Sequence, residues 1–413
     1  MNQFLKDTSG YNPGRDIYSQ ILGQFKEIKI DSVYLTRASL TVRNQSGKLR
    51  FRGDNVSLLM SDLLMDSLHR YDDSRILFSK NLDFLCKQLV LHSKDKKYEY
   101  QFDRLEFISQ INRFNIGEIR ILPQLGEKEF AESFKYQKDR YQFIFKNFSL
   151  LHINRAALWR KHLEADTLKI GQSSFKIYRD ISKPHDSLTR VGKYPQQLLT
   201  DLPFPLYIET VLFPHSFIEY KEKNGKSDSS GKVQFNDVSA SLKNVTNIRS
   251  KIARDKICRL DFHANFLDHG PINARLDMYL GDKNGRFTID GVLDSMHGQD
   301  LNKITEPMAL ARIDKGEIDH LNFHLNGNDS QSNGKLLFLY HDLQISLLKK
   351  TEGNNFKKKG IPSLAANIVI KNSNPPNVSP SGKHRSKNDP PRWENVHYDR
   401  DLHRSIFNLI WKS

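Results

Sequence analysis

The chain has 413 residues and a mass of 48.0 kDa, enough for two ordinary domains or one elongated repeat structure. Hydrophobic residues at 38%, charged residues at 27% and a mean hydropathy of -0.60 exclude wholesale disorder, and no apolar run approaches the roughly 18 residues that span a bilayer. A net charge of +15 suits anionic partners, yet Arg50 and Arg52 alternate with Leu49 and Phe51 as on a solvated strand face, and no Arg/Lys-rich helix or RNA-binding aromatic signature points to nucleic acid.

Residues 1–29 read as a lead-in and a short amphipathic helix, with Ile17, Ile21, Leu22, Phe25 and Ile28 at helical spacing. The opening Met1-Asn2-Gln3-Phe4-Leu5-Lys6 does not begin a signal peptide. For a protein acting at a membrane, the anchor is therefore expected outside this chain.

Residues 30–200 and 201–371 read as two β-repeat halves. Ile30 to Val42 predicts a long strand, the turn Asn44 to Gly47 reverses it, and Gly47-Lys48-Leu49-Arg50-Phe51 begins the return. The hairpin recurs: Ile208 to Tyr220 aligns with Ile30 to Val42 without a gap and leads into Gly231-Lys232-Val233-Gln234-Phe235. The clearest copy of the return strand is Gly334 to Leu348. There Leu336, Phe338 and Tyr340 fall on one side and Leu337, Leu339 and His341 on the other. Looser copies are Lys97 to Leu105 and Arg140 to Phe148. Small residues such as Ala38, Gly117, Ser173, Ser216 and Gly316 recur where these strands are expected to bend, as a bulge or kink requires.

Short helices punctuate the repeats. Asn154 is placed to cap a segment carrying Ala156, Ala157, Leu158, Trp159 and Leu163; Gln197 to Thr200 precedes the stops Pro203 and Pro205; Asp300 to Ile304 makes one more turn. Asp282-Lys283-Asn284-Gly285 marks a hairpin turn. Residues 372–400 read as a Pro/Asn/Ser/Lys-rich linker or loop, and 401–413 as the start of a C-terminal amphipathic helix bearing Leu402, Ile406, Leu409, Ile410 and Trp411.

No constellation for chemistry emerges. His320, Asn322 and His324 share a strand face at spacing two but lack Cys or a Glu-x-x-His pattern. Asp261, Asp268, Asp277 and Asp290 supply carboxylates, yet nothing selects a glycosidase pair among them. No nucleophile elbow or phosphate-binding Gly loop is present. Cys86 and Cys258 permit one disulfide but no framework. No enzyme activity, metal or cofactor is expected.

Several stretches together resemble the AsmA-like group of envelope proteins of Gram-negative bacteria, relatives of the TamB and bridge-like lipid-transfer proteins. They are Leu35 to Leu58, Phe175 to Asp180, Leu202 to Ile208, Gly316 to Asp319, Gly334 to Leu347 and Phe407 to Ser413. The resemblance implies a periplasmic, inner-membrane-associated protein whose repeated hairpins curl into a groove for phospholipid or another acyl lipid, supporting outer-membrane homeostasis. The chain departs from the family pattern in lacking an N-terminal membrane helix.

The expected fold is therefore mainly β: an elongated, curled antiparallel sheet of repeated hairpins forming a groove, with a few short helices. Leu40, Val42, Leu49, Phe51, Ile218, Phe235, Leu336 and Phe338 are candidate groove-lining residues, and Lys48, Lys232 and Lys335 candidate rim charges. A second sheet closing a sandwich is the competing architecture. Competing functions are a periplasmic or secreted β-scaffold that binds proteins or glycans without lipid, and a carbohydrate-active enzyme on a β-solenoid.

Overall fold

The computed structural model describes residues 25–350 apart from 44–46, 48, 70, 71, 73 and 226–228, together with 356–358, 374, 393–404, 406, 409 and 410. The predicted lead-in up to residue 24 and Trp411 lie outside the described residues. Ile28, placed in a helix by its spacing, instead lies within the first strand, where it faces Met65.

The chain runs as a wide meander. In order come β1 (Glu27–Arg43), β2 (Leu49–Asp66), β3 (Ser79–His92), β4 (Tyr98–Ile108), β5 (Arg113–Pro123), α1 (Glu127–Glu132), β6 (Asp139–Leu151), α2 (Arg155–Trp159), β7 (Leu163–Lys169) and β8 (Ser173–Asp180). After α3 (Pro195–Thr200) follow β9 (Leu206–Lys223), β10 (Ser230–Thr246), α4 (Arg249–Arg254), β11 (Ile257–Phe266), β12 (Gly270–Tyr279), β13 (Phe287–Leu293) and β14 (Met296–His297). A 3-10 turn and α5 (Asn302–Ala309) lead to β15 (Ala311–Gly327), β16 (Gln331–Lys350), β17 (Phe356–Lys358) and β18 (Trp393–Asp399). The protein is mainly β: each strand pairs chiefly with its neighbours in sequence, giving one large sheet, with β17 attached only to the end of β16. Among the described residues no second sheet packs on it.

The sheet is mixed rather than purely antiparallel. β7 and β8 lie end to end beside β6, and both pair parallel with β9. Parallel neighbours need a long crossover, and the segment from Ile181 to Pro205, carrying α3, supplies it. Part of the expected linker is also strand, since Trp393–Asp399 pairs with Gln331 to Leu337 of β16. Its alternation is too short to stand out beside a Pro- and Asn-rich stretch.

The repeated hairpins share a bulge rather than a turn. In β1–β2 the register steps by one residue between Leu35 and Ala38 and steps back before Leu40. The β9–β10 hairpin does the same around Val238–Ser216. Left-handed residues sit at the equivalent places, Arg37 (φ 51°) and His215 (φ 48°) on the outgoing strands, Asn55 (φ 54°) and Asp237 (φ 49°) on the return strands. The small residues Ala38 and Ser216 follow directly, each opposite a valine, Val56 or Val238. Gly53 therefore occupies the place of Phe235, and the Gly-Lys copies fall two residues out of step. At Gly316 (φ +119°) a Cβ would lie 2.6 Å from Leu343 Cα, so only glycine fits the corresponding bend of β15.

Asn154 does cap α2, its Oδ1 accepting from Ala157 N at 3.1 Å, but the helix ends at Trp159 and Leu163 already opens β7. The crossover and the C-terminal segment are locked together at the Arg400–Asp329 ion pair, whose side chains are 1% and 9% exposed. Arg400 Nη2 also donates to Arg190 O at 2.7 Å, and its guanidinium lies 4.2 Å from the Tyr194 ring centroid. Removing one partner strands a buried charge, so Asp329→Ala is expected to destabilise the protein by about 3–5 kcal/mol. The Asp329→Ala/Arg400→Met double variant should recover much of this in chemical denaturation; equal losses would show that the cost does not come from a stranded Arg400 charge.

Candidate functional site

Residues directly opposite across a strand pair point to the same face of a sheet, so the register traces any continuous surface. One row begins at Val42 and passes through Phe51, Leu91, Tyr100 and Ile121. It continues through Phe143, Phe175, Ile218, Phe235 and Phe266, from β1 to β11 without a polar interruption. At about 4.8 Å per strand it covers roughly 40 Å.

A second row on the other side of the bulges runs Leu35, Leu58, Phe84, Phe107, Phe114, Leu150 and Leu168. It continues through Val211, Leu242, Leu260, Leu276, Ile289 and Leu325. Both rows share one face. Phe145 and Leu150, five residues apart on β6 with left-handed Asn147 between them, join one apolar cluster with Val211 and Phe213. Aromatic contacts knit the rows: the Phe175 centroid lies 5.6 Å from Phe143, 5.2 Å from Phe145 and 6.2 Å from Phe213, and Phe235 lies 5.6 Å from Phe262.

The candidate lining residues fall into this pattern. Leu40 lies opposite Gly53 on the same strand as Val42, while Phe51, Ile218 and Phe235 sit in the first row. Phe338 faces Leu321, which faces Leu293, then Ile272, and Leu336 faces Phe323, so both extend the apolar face to β16. Leu49 pairs with Arg43 beyond a register shift at the end of the hairpin where β1 gives way to β2. Lys48 lies outside the described residues. Lys232 faces Lys221, and Lys335 faces His324, both on the opposite face, so these ammonium groups point away from the apolar rows rather than rimming them.

The apolar face divides into two regimes. From β11 to β16 it is sealed in places, with Phe287 0%, Ile318 1% and Leu325 3% exposed, while Leu260, Leu276, Phe323 and Phe338 are half-buried. Tyr194 of the crossover and Leu409 of the C-terminal segment pack on Phe287, Ile289 and Leu325, while Leu301 and Ile304 cover Phe266, Leu293 and Ile318. From β1 to β9 the row residues Phe51, Leu58, Phe84, Leu91, Tyr100, Phe107, Ile121, Phe143 and Phe175 are each only half-buried, and Leu35 and Leu40 are 45% and 52% exposed, whereas Leu150 and Val211 of the second row are buried in a cluster packed by Leu199 and Leu202 of the crossover. Of the helices α1 to α5, α1 reaches the start of β4, where the buried Phe130 packs edge-on against Tyr98 with ring centroids 5.8 Å apart.

The other face is polar and carries cross-strand pairs between ionic groups, and the Asp268 turn is tied to α5. Arg275 donates to Asp261 at 2.7 Å, Arg259 to Asp277 at 2.7 Å, and Lys303 to Asp268 at 2.6 Å; His324 pairs with Asp290 at 2.6 Å. The carboxylates weighed for glycoside chemistry are thus tied to cations. A concavity of about 680 Å³ on this face, between β9 and β13, is bordered by Leu212, Ser239, Asp261, His263, Arg275 and Asp290. No group of three or more metal-ligating side chains occurs among the described residues. Cys86 and Cys258 are buried free thiols rather than a disulfide, and burial pushes the Cys258 thiol up to about 12.

One feature of the apolar face was missed by sequence reasoning. Beyond Tyr141, Ile177 and Tyr220 the next residues on that face are Asp139, Arg179 and Glu222, in direct register. Arg179 donates to both Asp139 oxygens, Nε at 2.5 Å and Nη2 at 2.6 Å. Burial opposes the Arg179 charge, but Asp139 outweighs it and holds the guanidinium above its ordinary value. The available signal was phase: these charges stand at even spacing from Phe143, Phe175 and Ile218, in step with the apolar residues.

Comparison with protein-family models and with curated proteins returns no match for this chain.

Two outcomes are expected. Phe287→Ala, in the sealed part, should cost about 3–5 kcal/mol in urea unfolding, whereas Leu40→Ala, in the open part, should cost less than about 1 kcal/mol. Similar costs at both positions would mean that the open rows are covered in solution. Iodoacetamide at pH 8 should leave Cys86 and Cys258 unmodified in the native protein and label both after unfolding, as read by intact mass.

Proposed function

We propose that this chain is an AsmA-like module of the Gram-negative cell envelope that shelters lipid acyl chains on the apolar face between β1 and β9. It makes and breaks no bond and serves phospholipid transport or outer-membrane homeostasis. In this reading the protein is periplasmic and associated with the inner membrane.

The observation that carries the reading is the unbroken apolar register, half-buried across β2 to β5, with no second sheet packed on it among the described residues. Exposing an acyl chain of about sixteen carbons to water costs on the order of 12 kcal/mol, at about 0.8 kcal/mol per methylene. A carrier must therefore offer apolar surface along the whole chain, and a row of roughly 40 Å does so. The bulges add bend and right-handed twist to their strands, which favours a curled sheet over a flat one. A β-scaffold that binds proteins or glycans without lipid is the alternative, and the concavity on the polar face favours it.

Mass spectrometry of the purified protein after gentle and denaturing extraction tests the choice. Stoichiometric phospholipid is expected, and Phe102→Glu, which places a charge in the open face, should lower it by roughly tenfold or more. Lipid-free protein that also fails to take up labelled lipid from vesicles sinks the reading.

A further inference from the structure

Across β6, β8 and β9 the apolar face changes character over three successive levels, each two residues further along the strands. Phe143, Phe175 and Ile218 are purely apolar; Tyr141, Ile177 and Tyr220 add two hydroxyl groups; Asp139, Arg179 and Glu222 are charged. At about 3.4 Å per residue the three levels span roughly 14 Å. This is the polarity profile of an acyl lipid from tail through ester region to headgroup, with Tyr at the level where an amphipathic ring belongs.

The charged level also has spare donors. Asp139 Oδ2 already accepts from Arg179 Nη2 at 2.6 Å and from the Tyr141 hydroxyl at 3.0 Å. Arg190, from the crossover, reaches the same oxygen only at 3.5 Å, and its side chain is 37% exposed. Its backbone is held on both sides, Arg190 N donating to Leu402 O at 2.7 Å and Arg190 O accepting from Arg400. Arg404 Nη1 is buried, lies 3.7 Å from Glu222 Oε2 and makes no hydrogen bond among the described residues.

We infer that Arg190, with the Arg404 guanidinium, binds the phosphate of an acyl lipid whose tails lie along the Phe143–Phe175–Ile218 level. The inference rests on the acyl-chain reading above and adds the headgroup chemistry. A phosphate offers the planar guanidinium of Arg190 the paired acceptors that the crowded Asp139 oxygen does not. Lipids without phosphate leave that donor set unused.

The test is retention by the full chain of fluorescent phosphatidylglycerol against fluorescent diacylglycerol, offered from phosphatidylcholine vesicles. The native protein should prefer phosphatidylglycerol by about tenfold, the factor that corresponds to about 1.4 kcal/mol. Arg190→Gln should erase the preference while leaving diacylglycerol retention unchanged, and Arg190→Lys should keep part of it. Lys176→Gln, on the opposite face, should behave as the native protein does. Equal retention of both lipids by the native protein would overturn the phosphate site and leave the acyl-chain reading standing, whereas retention of neither lipid would remove both. A loss of preference in Lys176→Gln equal to that in Arg190→Gln, or displacement of phosphatidylglycerol by equimolar glycerol 3-phosphate, would also overturn the site.

Discussion

Everything in this protein depends on cross-strand register. A strand that slips by one residue turns its whole apolar set to the other face, and here two rows must stay aligned through a long succession of pairings. The bulges make this harder, because an inserted residue reverses the alternation beyond it. The β1–β2 and β9–β10 hairpins solve the problem in the same way, with one bulge on each strand, so that the register leaves the bend as it entered. Leu35 and Leu40, five residues apart, would fall on opposite faces of a regular strand. The bulge at Arg37 returns them to one face.

The cost is local strain. Arg37, Arg104 and His215 adopt left-handed conformations that side chains with a Cβ disfavour, while Asn55, Asn147, Asp237 and Asp342 are the residue types that tolerate them best. A sheet that only needed to be wide would not hold these positions. Their recurrence in mid-strand fits a sheet that must bend while its apolar face stays continuous.

Topology decides which part of that face is covered. The meander is antiparallel until β8, and the switch to parallel pairing with β9 forces the chain to travel back across the sheet. The returning segment lies on the apolar side, where Tyr194, Leu199 and Leu202 find apolar partners. Joined by the C-terminal segment through Arg400, it covers apolar residues of β6, β7 and β9 as well as of the later strands β13 and β15. The row Asp139–Arg179–Glu222 stands where these covering segments meet the sheet, and their arginines, Arg190 and Arg404, approach its two carboxylates.

Much of the fold was legible because period-two alternation is a local signal: the strands, the duplicated hairpin, the turn at Asp282 to Gly285 and the cap at Asn154 can all be read from a few residues. That Val42, Phe51, Ile218 and Phe235 share one apolar face was legible for the same reason. What stayed hidden is set by distant partners. Parallel pairing of β7 and β8 with β9 leaves no mark on their composition, and β18 reads as strand only beside β16. Lys232 and Lys335 seemed to belong at a rim because a Gly-Lys turn suggests an edge; register with Lys221 and His324 puts them on the polar face instead.

An open apolar face makes demands on the rest of the surface. Monomeric soluble proteins rarely expose contiguous apolar patches beyond a few hundred Å², and half-buried rows across β1 to β9 would favour association between copies. The net charge of +15 opposes this, since like-charged molecules repel before their apolar surfaces meet. The polar face serves the same end. Its pairs Arg275–Asp261 and Arg259–Asp277 are cross-strand neighbours that neutralise one another locally, leaving the surplus cations as the long-range field. The two faces of one sheet thus divide the work: one holds a surface that water disfavours, and the other keeps copies of that surface apart.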